Sequence, residues 1–249
     1  MIDADGRNGA SGRRGYVICS EPRSGSAFLC ELLESTLCLG RPTEYLGPGR
    51  MRGALRRDPA ALETLFERAS TPNGIYGLKI FTQHFDASAG TGWPGAFPGL
   101  SHILLTRRDL LAQAISLVRA LQTNQFSLLE PSYGEPRYDR RAIAQKLRRL
   151  AHNYARWEAY FARNGISPLR LYYEDIVASP SAGVTAVAGL LGIDAPVGAL
   201  RAKSIVQRDE LSEQWRRRFL DDAADRSYLD EWPFGTMRRR LRAFREGSD

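Results

Sequence analysis

The stretch Tyr16-Val-Ile-Cys-Ser-Glu-Pro-Arg-Ser-Gly-Ser-Ala-Phe28 decides the fold. Its first four residues form a short apolar, β-branched run that is typical of a buried strand. A small turn containing Gly25 follows, and the apolar residues after it recur at helical spacing from Phe28 to Leu37. A strand, a tight turn and an amphipathic helix in direct succession predict the first unit of an α/β domain.

Three further runs have the same strand character, and they are Ile75–Phe81, His102–Thr106 and Leu169–Tyr173. Apolar residues at helical spacing follow over Leu110–Leu121 and Ile143–Phe161. This alternation predicts a single α/β domain with a central parallel sheet flanked by helices. The Gly-, Pro- and Arg-rich segments 47–58 and 86–100, and the polar segment 124–138, are predicted to be loops that shape a ligand pocket.

The composition is that of an ordinary globular protein, with 249 residues, 43% of them hydrophobic and 25% charged, and a net charge of +7. All but three of the 35 basic residues are arginines, which form bidentate hydrogen bonds to phosphate and sulfate. Because the arginines are scattered, the charge indicates an anionic ligand only loosely. The runs Arg216–Arg218 and Arg238–Arg240 are interpreted as solvated helix faces, and no nucleic-acid partner is expected.

The cysteines and the N-terminal segment narrow the class of protein further. Cys19, Cys30 and Cys38 show neither a disulfide nor a metal-binding spacing, so we expect no metal and a cytoplasmic location. Residues 1–14 are polar and Gly-rich, which predicts a disordered leader before a domain over 15–249. No run approaches the roughly 20 apolar residues of a membrane-spanning helix.

The turn after the first strand is the strongest candidate for an anion site. Unpaired backbone N–H groups and the positive end of the helix dipole converge there, while Arg23 adds a charge and Ser24 and Ser26 add hydroxyl donors. A plain strand-to-helix turn with a serine N-cap fits these residues equally well. The nucleotide P-loop pattern, the dinucleotide fingerprint and the hydrolase nucleophile elbow are all absent from the turn.

Several segments, in order, resemble the bacterial trehalose 2-sulfotransferases, which use 3′-phosphoadenosine 5′-phosphosulfate (PAPS). The turn Pro22-Arg-Ser-Gly-Ser26 is similar to their 5′-phosphosulfate loop. The other similar segments are Gly40–Leu46, Tyr76–Lys79, Thr106–Asp109, Gln113–Thr123 and Gln207–Trp215. The resemblance extends from Tyr16 to Phe219. It implies a P-loop-like sulfotransferase fold, PAPS as the sulfuryl donor, a sugar or glycolipid-type hydroxyl acceptor, and a homodimer.

The resemblance also implies which residues hold the nucleotide. The residues carried over for the 5′ group, the 3′-phosphate and the nucleotide cover are Arg23, Ser24, Gly25, Ser26, Ala27, Arg107, Ser116, Gln207 and Arg208. Arg108 stands where the family usually has proline, so either Arg107 or Arg108 can face the 3′-phosphate. Without the family, an Arg107–Asp109 ion pair is the simpler interpretation. Val206 replaces a usual arginine, for which Arg208 is the candidate substitute.

Sulfuryl transfer requires a base for the acceptor hydroxyl and cations for the departing phosphate. Many sulfotransferases have a catalytic histidine two positions after the lysine of the second strand, where this chain has Phe81. The trehalose-type family has a glutamate after the first helix instead. Glu44 matches it, so the resemblance implies Glu44 as the general base, with Arg23 and Lys79 as the other catalytic residues.

Glu44 and Lys79 could also have purely structural roles. Glu44 fits a first-turn helix position behind a Thr43 cap, and Lys79 fits an outward-facing strand position. His84 is the rival base, because it closely follows the second strand.

Three other functions stay open: a small-molecule kinase with the same phosphate-binding turn, a sulfotransferase acting on a non-sugar alcohol or natural product, and a basic nucleic-acid binder. The kinase lacks the Gly-Lys-[Ser/Thr] motif and a clear magnesium carboxylate. A nucleic-acid binder would show an affinity that falls steeply with salt.

Overall fold

The structure, a computed structural model, describes residues 13–47, 49–88, 90–126, 131, 133–198, 200–203 and 210–222. In that part of the chain, four parallel strands form one sheet: β1 (Arg14–Ser20), β2 (Ile75–Phe81), β3 (Leu100–Thr106) and β4 (Leu169–Tyr172). Their order is β2-β1-β3-β4. All four predicted strands are therefore confirmed, although β1 already begins at Arg14 and Tyr173 begins a helix instead of ending β4.

The helices of the described residues are α1 (Ser26–Ser35), α2 (Gly49–Leu55), α3 (Ala60–Ala69), α4 (Thr82–Ala87), α5 (Leu110–Thr123), α6 (Arg140–Asn164), α7 (Tyr173–Ala178), α8 (Pro180–Leu190) and α9 (Glu210–Asp221). The prediction of a loop over 47–58 is wrong, because α2 lies within it. This helix buries none of its residues, so no apolar periodicity marked it. Leu37 lies beyond the end of α1 at a positive φ and is 75% exposed, so its predicted place on the buried face is also wrong.

Alternating side chains of β1 enter the apolar layers on the two faces of the sheet. Tyr16 and Ile18 pack with α1 and α8, where Leu29 and Val184 are fully buried. Val17 and Cys19 pack on the opposite face against residues of α3 and α6, among them Trp157. Because β1 is covered on both faces, the domain has the three layers, helix, sheet and helix, that a parallel sheet requires.

A third apolar cluster joins α5, α6 and α9. Ile115 of α5, Ile143 of α6 and Trp215 of α9 are each almost completely buried in it. Asp109 caps α5 by accepting a hydrogen bond from Ala112 N, and it also pairs with Arg216 of α9 at 2.6 Å. The cluster and this ion pair together fix α9 on α5.

The buried carboxylate of Glu21 links the end of β1 to two helices. Oε1 accepts a hydrogen bond from the backbone N–H of Thr82 at the start of α4 (3.1 Å), and Oε2 accepts one from Asn153 Nδ2 of α6 (2.8 Å). Burial raises the pKa of Glu21, and these donors oppose the shift. Glu21 therefore anchors the turn that follows β1.

We predict that Asn153→Ala lowers the free energy of unfolding by about 1–3 kcal/mol at neutral pH, because the variant leaves a buried carboxylate oxygen without its donor. Protonation of Glu21 relieves this deficit, so the loss should shrink as the pH falls toward the raised pKa. Urea unfolding of both proteins at neutral and mildly acidic pH measures it. Asn164→Ala, at an exposed asparagine of the same helix, is the control. A loss that grows with acidity would contradict the role of Glu21.

Candidate active site

The turn between β1 and α1 is sharply bent. Arg23 has a φ of +65° and Gly25 a φ of +83°, and Gly25 is the N-cap of α1. A Cβ atom on Gly25 would lie only 2.1 Å from Cδ2 of Tyr173. Both the backbone angle and the aromatic ring therefore require glycine here.

Two hydroxyl groups around this turn lack hydrogen-bond partners among the described residues. Ser24 is completely buried, and its Oγ has no hydrogen-bond partner among the described residues. The same holds for Ser20 Oγ at the end of β1. Buried hydroxyls seldom stay unsatisfied, and these two lie beside the N-terminus of α1, where an anion is favoured. The turn thus has the chemistry of a phosphate site.

Arg23 is directed toward α5. Its Nε donates a hydrogen bond to Ser116 Oγ at 2.9 Å, and its Nη1 donates to the carbonyl of Phe126. Arg23 and Ser116 also line a pocket of about 120 Å³ together with Arg119 and Ser212. Arg119 Nη1 donates to Ser212 Oγ, which joins α5 to α9 across this pocket. Two arginines and two hydroxyls make it suited to an anion.

Arg107 and Arg108 point to different places. Nη1 of Arg107 lies 3.4 Å from the carbonyl oxygen of Arg23, and the guanidinium stacks on the Tyr173 ring with its carbon 4.6 Å from the ring centroid. Arg107 Nε is buried without a hydrogen-bond partner in the part of the chain that the structure describes. Arg108 instead forms two hydrogen bonds of 2.6 and 2.7 Å to the exposed carboxylate of Asp175. Of the two arginines, Arg107 therefore lies at the turn.

The alternative partner considered for Arg107 is not the one observed. The Asp109 carboxylate instead accepts hydrogen bonds from Arg216 and from the backbone N–H of Ala112. Gln113, one turn into α5, donates to the carbonyl of Pro22 at 2.8 Å and contacts Tyr154 at 3.0 Å. The start of α5 thus supports the turn from the side opposite α4.

A second polar cluster contains Glu44, Lys79 and His84. Thr43 pairs with Leu78 of β2, which places Glu44 beside Lys79. Lys79 Nζ lies 2.8 Å from Glu44 Oε1, and His84 Nδ1 lies 3.8 Å from Glu44 Oε2. Glu44 lies outside any helix, so it is not a first-turn helix residue. Lys79 is only 9% exposed, so it is not an outward-facing strand residue.

The surroundings of this cluster set its charge. Burial disfavours the charge of Lys79, but electrostatic interaction with Cys30 and Glu44 outweighs it and raises the pKa of Lys79. Burial lowers the pKa of His84; the Glu44 carboxylate opposes this, while Arg52 and Lys79 add to the lowering. These shifts favour the ammonium form of Lys79 and the neutral imidazole of His84.

The parallel register brings the turn and this cluster to the same edge of the sheet. Ser20 is the register partner of Phe81, and Ile18 is that of Lys79, so the carboxyl ends of β1 and β2 coincide. Arg107 and Tyr173 follow the paired ends of β3 and β4. Open α/β sheets bind ligands at this edge.

Most predicted site residues thus gather at one edge, as do several that sequence reasoning missed. Gln207 and Arg208 lie outside the described residues. Ala27 is exposed on the first turn of α1. The missed residues are Glu21, Gln113, Arg119, Tyr173 and Ser212. Arg119 and Gln113 fall within a segment similar to the sulfotransferases, which was the signal available for them.

Neither a metal cluster nor a membrane helix is found within the described ranges. No group of three or more His, Cys, Asp or Glu side chains there is arranged to hold a metal ion. No helix in the same ranges is both long and apolar enough to span a bilayer.

Comparison with known proteins identifies the family. The family model described as Stf0 sulphotransferase matches residues 15–222. The chain belongs to the Stf0 sulfotransferase family. A relative in Mycobacterium tuberculosis (strain ATCC 35801 / TMC 107 / Erdman), named trehalose 2-sulfotransferase, is 26% identical over 82% of this chain and 94% of its own length. The predicted membership of a trehalose 2-sulfotransferase-like family is therefore confirmed.

A solved structure was also found, the sulfotransferase domain from the Synechococcus PCC 7002 olefin synthase. It is 17% identical to this chain, covers 95% of it and 96% of its own length, and superposes with a TM-score of 0.41.

We predict that Gly25→Ala destabilises the protein and weakens binding of anionic nucleotides, because the new methyl group must displace the Tyr173 ring and the backbone must leave its positive φ. The expected loss of stability is about 1–3 kcal/mol. Thermal unfolding and nucleotide titration measure the two effects. Gly189→Ala is the matched control, because a Cβ there meets nothing within 4 Å and should be neutral or slightly stabilising. An unchanged Gly25→Ala protein would show that the turn tolerates a side chain.

Proposed function

We propose that this sulfotransferase transfers the sulfuryl group of PAPS to a hydroxyl of a carbohydrate or glycolipid-type acceptor, with Glu44 as the general base. The observation that carries the proposal is the Glu44–Lys79 pair, which lies at the same sheet edge as the phosphate-type turn. A base and an anion site at one edge are what transfer from an anionic donor to an alcohol requires.

The residues at the turn fit a nucleotide with two separate phosphate groups. The buried Ser24 hydroxyl and the N-terminus of α1 suit the 5′ group. Arg107 and Ser116 suit the 3′-phosphate, and Arg23 contacts both of them. Because Arg23 Nε already donates to Ser116 Oγ, a bound phosphate would accept from the same arginine and hydroxyl together.

Glu44 offers one carboxylate oxygen for catalysis. Lys79 holds Oε1, while Oε2 faces the imidazole of His84 without reaching hydrogen-bond distance. The proton of an acceptor hydroxyl would pass to Oε2 as the hydroxyl oxygen attacks sulfur. Lys79 and the arginines stabilise the negative charge that develops on the departing phosphate.

The nature of the acceptor is supported by the M. tuberculosis relative, whose name specifies trehalose. We therefore favour a sugar hydroxyl over a non-sugar alcohol or natural product. The kinase alternative has no support from the family match. A cytoplasmic location and a homodimer stay predictions, the first supported by three free cysteines in the described chain.

We predict that 3′-phosphoadenosine 5′-phosphate binds this protein and raises its thermal midpoint, and that a nucleotide lacking the 3′-phosphate does so much less. Arg107→Gln should weaken this binding by about 10- to 100-fold, because it removes charge-assisted hydrogen bonds to phosphate. Arg108→Gln is a neighbouring control whose ion pair with Asp175 is solvent-exposed, so binding should hardly change. Calorimetric titration compares them. Equal losses in the two variants would remove the role given to Arg107.

We predict that the parental protein transfers labelled sulfuryl from PAPS to sugars such as trehalose, and that Glu44→Gln lowers turnover by about 10²- to 10⁴-fold, as loss of a general base does. Donor affinity and folding should be retained, since the amide keeps the size and polarity of the side chain. Glu67→Gln, at an exposed position on α3, is the control. Transfer of labelled phosphate from ATP in place of sulfuryl would favour the kinase, and a Glu44→Gln enzyme at the parental rate would exclude Glu44 as the base.

A further inference from the structure

His84 is a largely buried residue that has no role in the reaction as described so far. It lies in the first turn of α4 with a side-chain exposure of only 13%. Its Nδ1 is shielded from solvent and has no hydrogen-bond partner within the described ranges. A shielded polar atom without a partner is costly and commonly indicates a missing ligand.

The unsatisfied nitrogen faces the oxygen of Glu44 that Lys79 leaves free. The distance from His84 Nδ1 to Glu44 Oε2 is 3.8 Å, which is too long for a direct hydrogen bond. An oxygen atom placed to the side of both atoms can lie at about 2.8 Å from each, which is hydrogen-bond distance. One acceptor hydroxyl can therefore contact both once a small rotation of the His84 ring uncovers Nδ1.

The other ring nitrogen of His84 determines the direction of this hydrogen bond. Nε2 of His84 lies 3.3 Å from Nε2 of the Gln83 side-chain amide. This amide nitrogen is a hydrogen-bond donor, so Nε2 of His84 must accept. In a neutral imidazole the proton then resides on Nδ1. The charged neighbours of the ring are Glu44, Arg52 of α2 and Lys79 of β2; burial and the two cations lower the pKa of His84 and favour the neutral ring, while the Glu44 carboxylate opposes them.

We propose that Nδ1–H of His84 and Oε2 of Glu44 jointly hold the acceptor hydroxyl, so that His84 is a second acceptor-binding residue of the active site. This inference rests on the proposed function. The substrate class that fits the gap is a neutral aliphatic alcohol. A phenolate has no proton to donate to Oε2, and its charge is repelled by the Glu44 carboxylate.

The arrangement accounts for every valence of the acceptor oxygen. One lone pair accepts from Nδ1–H, and the hydroxyl proton goes to Glu44 Oε2. The remaining lone pair forms the new bond to sulfur, while the bond from sulfur to the 5′-phosphate oxygen breaks and leaves its electron pair on that oxygen. His84 neither gains nor loses a proton, so it fixes which lone pair faces sulfur.

The test compares His84→Ala, which removes the donor, with His84→Asn, whose amide Nδ2 can occupy the place of the imidazole Nδ1–H. His84→Ala should lower kcat/KM for the acceptor by about tenfold or more, with unchanged donor affinity, as loss of a substrate hydrogen bond does. His84→Asn should recover most of it. His152→Ala, at a partly exposed histidine of α6, is the control.

Trehalose is the probe acceptor, with glycerol at high concentration as a minimal alcohol. An unchanged kcat/KM in His84→Ala, or equal impairment of the alanine and asparagine variants, would overturn the proposal. Nitrogen NMR of the parental protein gives a readout that needs no turnover, since the proposal requires a protonated Nδ1 and a bare Nε2 in His84. The opposite tautomer would overturn it. Absence of sulfation of both probes would count against the proposed function, whereas the opposite tautomer would count against the role of His84 alone.

Discussion

The sharp turn from Ser20 to Gly25 is the constraint on which the rest of the site depends. The chain must leave a buried parallel strand and enter α1 within five residues, and it does so by placing Arg23 and Gly25 at positive φ. A non-glycine residue at such an angle costs about 1–2 kcal/mol. The surrounding contacts compensate for this cost, since Glu21 accepts hydrogen bonds from α4 and α6 and Pro22 accepts one from Gln113 of α5. The strain is therefore held at the point where the backbone N–H groups of α1 are exposed to an anion.

The sheet order explains why the other functional groups reach this turn. With β1 between β2 and β3, the segments after β2 and β3 approach the turn from opposite sides. The segment after β2 brings His84, and Lys79 lies two residues before the end of that strand. The segment after β3 brings Arg107 and then α5 with Ser116. The proposed base Glu44 and the arginine Arg107 thus approach from different sides and need not compete for one position.

The four strands, the helices α1, α5 and α6 and the turn after β1 were predictable because each corresponds to a local sequence pattern. Apolar runs predict buried strands, and a helical period predicts α1, α5 and α6. The helix α2 was missed because it is only 7 residues long and its two large apolar residues, Met51 and Leu55, are only partly buried, so its apolar pattern is too short to recognise. The links that hold the site are long-range: Glu21 and Asn153 are 132 residues apart, and Gln113 and Pro22 are 91 apart. No local sequence pattern indicates a contact between residues so far apart in the chain. The Glu44–Lys79 pair likewise depends on the register of Thr43 with Leu78, which only the folded chain defines.

The identity of the cation beside Glu44 follows from the same physics. A carboxylate near an anionic donor is repelled by it, by about 4 kcal/mol for unit charges 4 Å apart at an effective dielectric constant of 20. A cation must therefore accompany the proposed base. In a chain whose basic residues are nearly all arginine, the residue found there is one of only three lysines. An arginine binds a carboxylate through both oxygens, whereas a lysine donates from a single point. Lys79 occupies Oε1 and leaves Oε2 open, so the lysine neutralises the charge of Glu44 without removing its capacity to accept a proton.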